Sequence, residues 1–204
     1  MKKDNILKIV LAAVLIVACV ANIVAFAAEC ENVRRDVLRL HVVADSDSEL
    51  DQQLKLLVRD AILEKGSELF DGTVTAQAAQ QIITPRISEL EAIAEEVLRS
   101  NGCDNEVTVT VQEEYFATRS YEQFTMPAGV YMAVRVNIGS AQGQNWWCVM
   151  FPPLCLPAAT SDADAFFTED EMKIISASPE YEPRFKIVEI IESLKNKFKA
   201  GDLW

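Results

Sequence analysis

The sequence has a single histidine, His41, followed within five residues by Asp45 and Ser46. A serine, a histidine and a carboxylate are the parts of an acyl-transfer triad, in which imidazole takes the hydroxyl proton and the carboxylate orients the ring. The local context argues against that use. His41 lies inside the run Val37 to Val43 (VLRLHVV), which reads as a strand, and Ser46 stands where a helix cap is expected. One histidine also excludes a metal site built on two histidine ligands. Asp45, Asp47, Glu49 and Asp51 form an acidic cluster, but it lacks the ligand order and the glycine of an EF-hand loop. The same carboxylates suit the start of a helix. Gly139 and Gly143 do not make a phosphate loop, because no lysine follows and the next element is a strand. No catalytic residue, metal ligand or cofactor is assigned.

The densest stretch is Gly143 to Cys155, GQNWWCVMFPPLC. Cys148 and Cys155 are seven apart. On one straight strand they would stand about 23 Å apart, too far to bond. The break at Pro152-Pro153 lets the chain turn, so either a disulfide or two buried thiols fits. Neither cysteine has a basic neighbour in sequence that would lower its pKa, so a redox pair is not supported. Trp146 and Trp147 are adjacent and point to opposite faces of a strand. Either both are buried or one is offered to solvent, where a tryptophan beside a Pro-Pro turn makes a protein-binding anchor.

These groups need elements to hold them. After the strand at 37–43, Ser46 with Glu49 and Ser48 with Asp51 fit capping boxes for a helix to about Phe70. Leu50, Leu54, Leu57 and Ala61 form its expected apolar face, with Val58 and Ile62 as further candidates for it. A second helical region, Thr75 to Ser100, must break near Thr84 because of Pro85. Strands follow at Glu106–Phe116, Val130–Ile138 and Trp146–Phe151, with Met126–Gly129 as a turn. The segment 158–182 is acidic and loop-like, with Thr168 and Glu171 capping one short helix. Arg184 to Lys199 is the last helix, with Phe185, Val188, Ile191, Leu194 and Phe198 as its apolar stripe. The order β-α-α-β-β-β-α predicts an α+β fold: a mostly antiparallel sheet with helices packed on one face.

The chain has 204 residues and a formal charge of −12; past the leader the balance is −14. A domain this acidic is repelled by phosphate backbones, so nucleic acid is excluded as a partner and proteins are expected. The leader, MKKDNILK followed by an apolar run, has three readings. Ala25-Phe26-Ala27 fits signal cleavage after Ala27. Residues 6–28 also have the length of a membrane anchor. Cys19 after Ile16-Val17-Ala18 resembles a lipoprotein signal, though the apolar run continues past it. All three put the body outside the cytoplasm, where the four cysteines beyond the leader can pair. The organisation expected is a signal peptide or anchor at 1–28, a linker at 29–36, an α+β core at 37–157, the acidic segment 158–182, and a C-terminal helix at 183–204 packing on the core.

Leu38–Leu63 (LRLHVVADSDSELDQQLKLLVRDAIL) and Met126–Cys155 (MPAGVYMAVRVNIGSAQGQNWWCVMFPPLC) resemble the two signature stretches of the stage II sporulation protein R family of endospore-forming bacteria. FKIVEIIESL, Phe185 to Leu194, resembles its C-terminal helix. The family pattern after the first strand usually has asparagine where this chain has Asp45; both residues cap helices. The resemblance implies export from the forespore into the space between forespore and mother-cell membranes. It implies activation there of a membrane-embedded aspartic protease that processes the precursor of sigma factor E. No catalytic residues come with it, and the chain is expected not to be an enzyme. The expected contact surface is Asp45, Asp47, Asn145, Trp146, Trp147, Pro152 and Pro153. The rival reading is an envelope hydrolase using His41 with Ser46 or an aspartate.

Overall fold

The computed structural model describes residues 2–121, 124–155, 166–176 and 183–200. Helix α1, Lys2–Arg35, is apolar all round from Ile9 to Ala21. It passes without a break through 29–35, where the sequence predicts a linker. Only Asp36 and Val37 separate it from β1, Leu38–Val43.

Helix α2, Glu49–Leu69, starts where Ser48 accepts a hydrogen bond from the Asp51 N–H, one of the two caps expected. Thr75 caps α3, Ala76–Ile83, in the same way through the Ala78 N–H. Pro85 then tightens Thr84–Arg86 into a 3-10 turn, and α4 runs Ile87–Ser100. β2 is Val107–Phe116, followed by a two-residue pair, β3 Arg119–Ser120 and β4 Thr125–Met126. β5 is Gly129–Ile138 and β6 is Asn145–Phe151. The capping box of Thr168 and Glu171 opens α5, Glu169–Ile175, and α6 is Pro183–Ala200. The rest of the segment read as an acidic loop, 158–165 and 177–182, lies outside the described residues.

The main sheet has the order β2-β5-β1-β6. β2 pairs antiparallel with β5, and β6 antiparallel with β1, while the central pair β1–β5 is parallel. The fold is therefore α+β with a mostly antiparallel sheet. Helices cover both faces, not one. Leu38, Leu40 and Val42 of β1 join residues of α2, α3 and α4 in one core. Tyr131 and Ala133 of β5 and Val149 of β6 join residues of α1, α5 and α6 in another. The reason lies in the central strand: all six residues of β1 are buried, so both its faces need cover.

Two helical faces differ from the sequence reading. In α2, Leu54, Val58, Ile62 and Leu63 are buried, while Leu50 and Leu57 are exposed. The buried stripe is rotated because Lys55 and Gly66 face inward, Gly66 lying against Met150. In α6 the stripe is buried at Phe185 and Val188, but Ile191, Leu194 and Phe198 are exposed.

Candidate partner-binding face

β1 and β6 set the site. Their register pairs Val43 with Asn145, Val42 with Trp146, and His41 with Trp147. Cross-strand partners share a face, so the two tryptophans point to opposite sides of the sheet. Trp147 stacks on His41, with ring centroids 3.7 Å apart and planes 15° from parallel. Phe116 meets Trp147 edge-on at 4.8 Å. Trp146 turns to the α2 side, where the Arg59 guanidinium lies 4.4 Å from its ring centre. It remains 37% exposed, the one tryptophan among the described residues open to that extent.

His41 is buried and both ring nitrogens are occupied. Nδ1 pairs with Glu114 Oε1 at 2.8 Å and Nε2 with Asn145 Oδ1 at 2.6 Å. Glu114 Oε1 also accepts from Arg135 Nη1 at 2.8 Å. Ser46 does something else. Its hydroxyl donates to Asp51 and accepts from the Ser48 N–H. The structure therefore does not assemble the triad that the spacing of His41, Asp45 and Ser46 suggests. His41 ties β1 to β2 and β6.

The acidic cluster is also spent on structure. Asp45 Oδ1 accepts from the Ser140 N–H at 2.6 Å and from the Ser140 hydroxyl at 2.7 Å. Those bonds hold its carboxyl below the usual aspartate pKa. Asp47 Oδ1 accepts from the Gln144 N–H at 2.8 Å. The Gly143 N–H donates to Ala44 O at 2.9 Å, and the Gln142 N–H to Asp45 O at 3.1 Å. Lys55, buried on α2, donates to Gln144 O at 3.0 Å, and its burial lowers its pKa against the opposing pull of Asp47. Two loops, 44–48 and 139–144, are thus clasped together beside Asn145 and Trp146. Glycine is required at the clasp: a Cβ on Gly143 would stand 2.2 Å from Ser46 O, and one on Gly139 2.4 Å from Asp45 Oδ1.

Past β6 the chain turns, with the Leu154 N–H donating to Pro152 O at 2.7 Å. Cys148 and Cys155, whose pairing the sequence left open, have Cα atoms 6.2 Å apart and bonded sulfurs. Pro152 is buried and Pro153 half-buried, so neither presents a full face to solvent. Of the seven residues read as a contact surface, Asp47, Asn145 and Trp146 are exposed, and Asp45, Trp147 and Pro153 are partly so.

Arg39 escaped the sequence reading. It is fully buried one alternation from His41 on the same face of β1. Nε donates to Cys148 O and Nη2 to the Tyr121 hydroxyl, both at 2.8 Å, and the guanidinium lies 4.3 Å from the Phe116 ring centre. Among the described residues its Nη1 has no hydrogen-bond partner. The i, i+2 spacing of Arg39 and His41 within an apolar strand was the available signal: two long polar side chains sharing one buried face.

The arrangement defines a class: an α+β domain carried on an apolar helix, with a stacked histidine–tryptophan pair and a clasped double loop at one sheet edge. The chain belongs to the stage II sporulation protein R family, whose model matches residues 34–161. It is 36% identical over 118 residues to the stage II sporulation protein R of Bacillus subtilis (strain 168), covering 58% of this chain and 53% of that protein. The chain thus spans about half the length of the curated relative it matches. No solved structure matches.

Proposed function

We propose that this chain is an exported sporulation signal that activates a membrane-embedded aspartic protease, so that the precursor of sigma factor E is processed in the mother cell. Membership of the sporulation family supports the process. The apolar N-terminal helix fits export or anchoring of the domain. The observation that carries the ligand reading is the occupancy of the polar groups. His41 is held by Glu114 and Asn145, and Ser46 by Asp51 and Ser48, so this base does not stand against this nucleophile. Trp146, half-open on the clasped edge, is the natural anchor for a protein partner. Activation then requires tighter binding to the active arrangement of the protease than to its resting one.

The test is reconstitution in a non-sporulating host. This chain, with or without residues 1–28, is co-expressed with the protease and the sigma precursor, and cleavage is scored by immunoblot. Cleavage that needs both this chain and its leader is expected, with Trp146→Ala reducing it at least tenfold at equal protein level. No cleavage, with all three proteins folded and correctly located, would sink the reading.

A further inference from the structure

We infer that α1 is not removed after export: its first part holds the chain in a lipid bilayer, and its last part is a permanent layer of the domain. The inference rests on export alone and not on the choice of protease.

The helix changes character near Ile23. Every described residue from Asn5 to Asn22 is exposed, and the residues between those two asparagines are apolar except Lys8. From Asn5 to Asn22 the helix rises about 26 Å at 1.5 Å per residue, close to the thickness of a hydrocarbon core. The surface is apolar all round rather than along one stripe, which suits lipid on every side and not a single partner helix. Lys2, Lys3 and Lys8 lie at the start, the arrangement that keeps the N-terminus on the cytoplasmic side of the exporting membrane.

Beyond Asn22 the same helix becomes core. Phe26, Cys30 and Val33 recur on one face, and all three are buried. The Phe26 ring meets Phe185 of α6 edge-on at 5.1 Å, and the Arg184 guanidinium lies 4.5 Å from its centre. Arg34, buried, donates to Ala128 O at 2.9 Å. At Gly129, which has φ +152, a Cβ would stand 2.4 Å from Arg34 Cδ, so β5 begins with a residue shaped to α1. The Ala25-Phe26-Ala27 site therefore lies within a packed helix. A cut after Ala27 would strip Phe26 from Phe185 and leave the last two turns of α1, too short to be stable as an isolated helix.

The full chain with a C-terminal epitope is expressed in the reconstitution host. Membranes are washed with alkaline carbonate, and the product is sized by immunoblot and intact mass. The expected result is an uncut chain in the membrane pellet, with the epitope open to protease added from outside. Ala25→Gln blocks signal cleavage at an exposed position and is expected to change neither mass nor fraction. A product beginning at Ala28 or Cys19 would overturn the inference, as would an uncut chain released by carbonate. So would a shift of the product into the membrane caused by Ala25→Gln. Failure of precursor cleavage with an uncut, membrane-held chain would count against the protease reading and leave the anchor standing.

Discussion

Replacing Gly143 by alanine tests the clasp that presents the candidate face. The added Cβ would stand 2.2 Å from Ser46 O, 2.6 Å from Ser46 C and 2.9 Å from the Ala44 Cβ. Two of these are or adjoin backbone, so no side chain can simply swing away. Ordinary contact needs about 3.4 Å, so the loops 44–48 and 139–144 must part by about 1 Å. That takes the Gly143–Ala44 and Gln142–Asp45 bonds, now 2.9 and 3.1 Å, past bonding range. Two exposed backbone hydrogen bonds are worth about 1 kcal/mol each, and overpacking adds about 1 kcal/mol. The expected cost is about 2–3 kcal/mol. It would be read as a lowered urea midpoint of the full chain in detergent micelles, with faster hydrogen exchange at the residue 142 and 143 amides that donate those two bonds. Ala141→Gly is the control in the same loop. Ala141 has φ +51, which glycine adopts freely, so relief of strain and added unfolded-state entropy nearly cancel. A Gly143→Ala protein within 0.5 kcal/mol of the parent, its loop amides still protected, would refute the clasp.

Other perturbations separate the remaining assignments. His41→Ala should cost about 2–4 kcal/mol through its cavity and lost bonds. Signalling at matched folded protein should fall less than tenfold; a loss of orders of magnitude with the fold intact would restore a catalytic histidine. Asp45 has a pKa lowered in the folded state, so its contribution is present above the ordinary aspartate range and is lost as pH falls through the lowered value. Asp45→Ala should cost about 1 kcal/mol at neutral pH, whereas Asp45→Asn keeps an acceptor for Ser140 and flattens the acid limb of the urea midpoint against pH. Phe26→Ala should cost about 3 kcal/mol in the same denaturation assay, and a neutral result would detach α1 from the core.

Local signals in this chain were strong, and the elements they specify stand where the sequence puts them. Ser48, Thr75 and Thr168 each cap a helix through a bond to the third residue on. Pro85 divides the second helical region. The strands at 107–116, 129–138 and 145–151 match their alternation to within a residue or so. What was hidden is tertiary. An apolar central strand does not say which helices cover each face, and the leader gave no sign that its last turns belong to the domain. Leu50 and Leu57 follow helical spacing as well as Leu54 does, but the space beneath α2 is filled by Val58, Ile62 and Leu63. At the site, Asp45 and Asp47 were legible as helix-start carboxylates, while their bonds to residues about a hundred positions away were not. From the sequence Gly139 and Gly143 could be read only as not forming a phosphate loop; the clasp gives the reason they are glycines.

The two cores differ in what they need. The one under α2, α3 and α4 draws on residues from 38 to 151 and is closed by segments contiguous with the sheet. The one on the other face needs α1 from before the sheet and α5 and α6 from after it. Without α1, Tyr131, Ala133 and Val149 lose the cover of Phe26, Cys30 and Val33. α6 would keep Phe185 without its edge-on partner while already exposing Ile191, Leu194 and Phe198. A soluble fragment cut to start at β1 therefore presents a wide apolar face and should associate through it. Completion of the second core, which supports Phe116 against the His41–Trp147 stack, is therefore coupled to α1 being present and in place. Binding measured on a leaderless fragment would report that exposed face, so the test of a partner surface needs the whole chain.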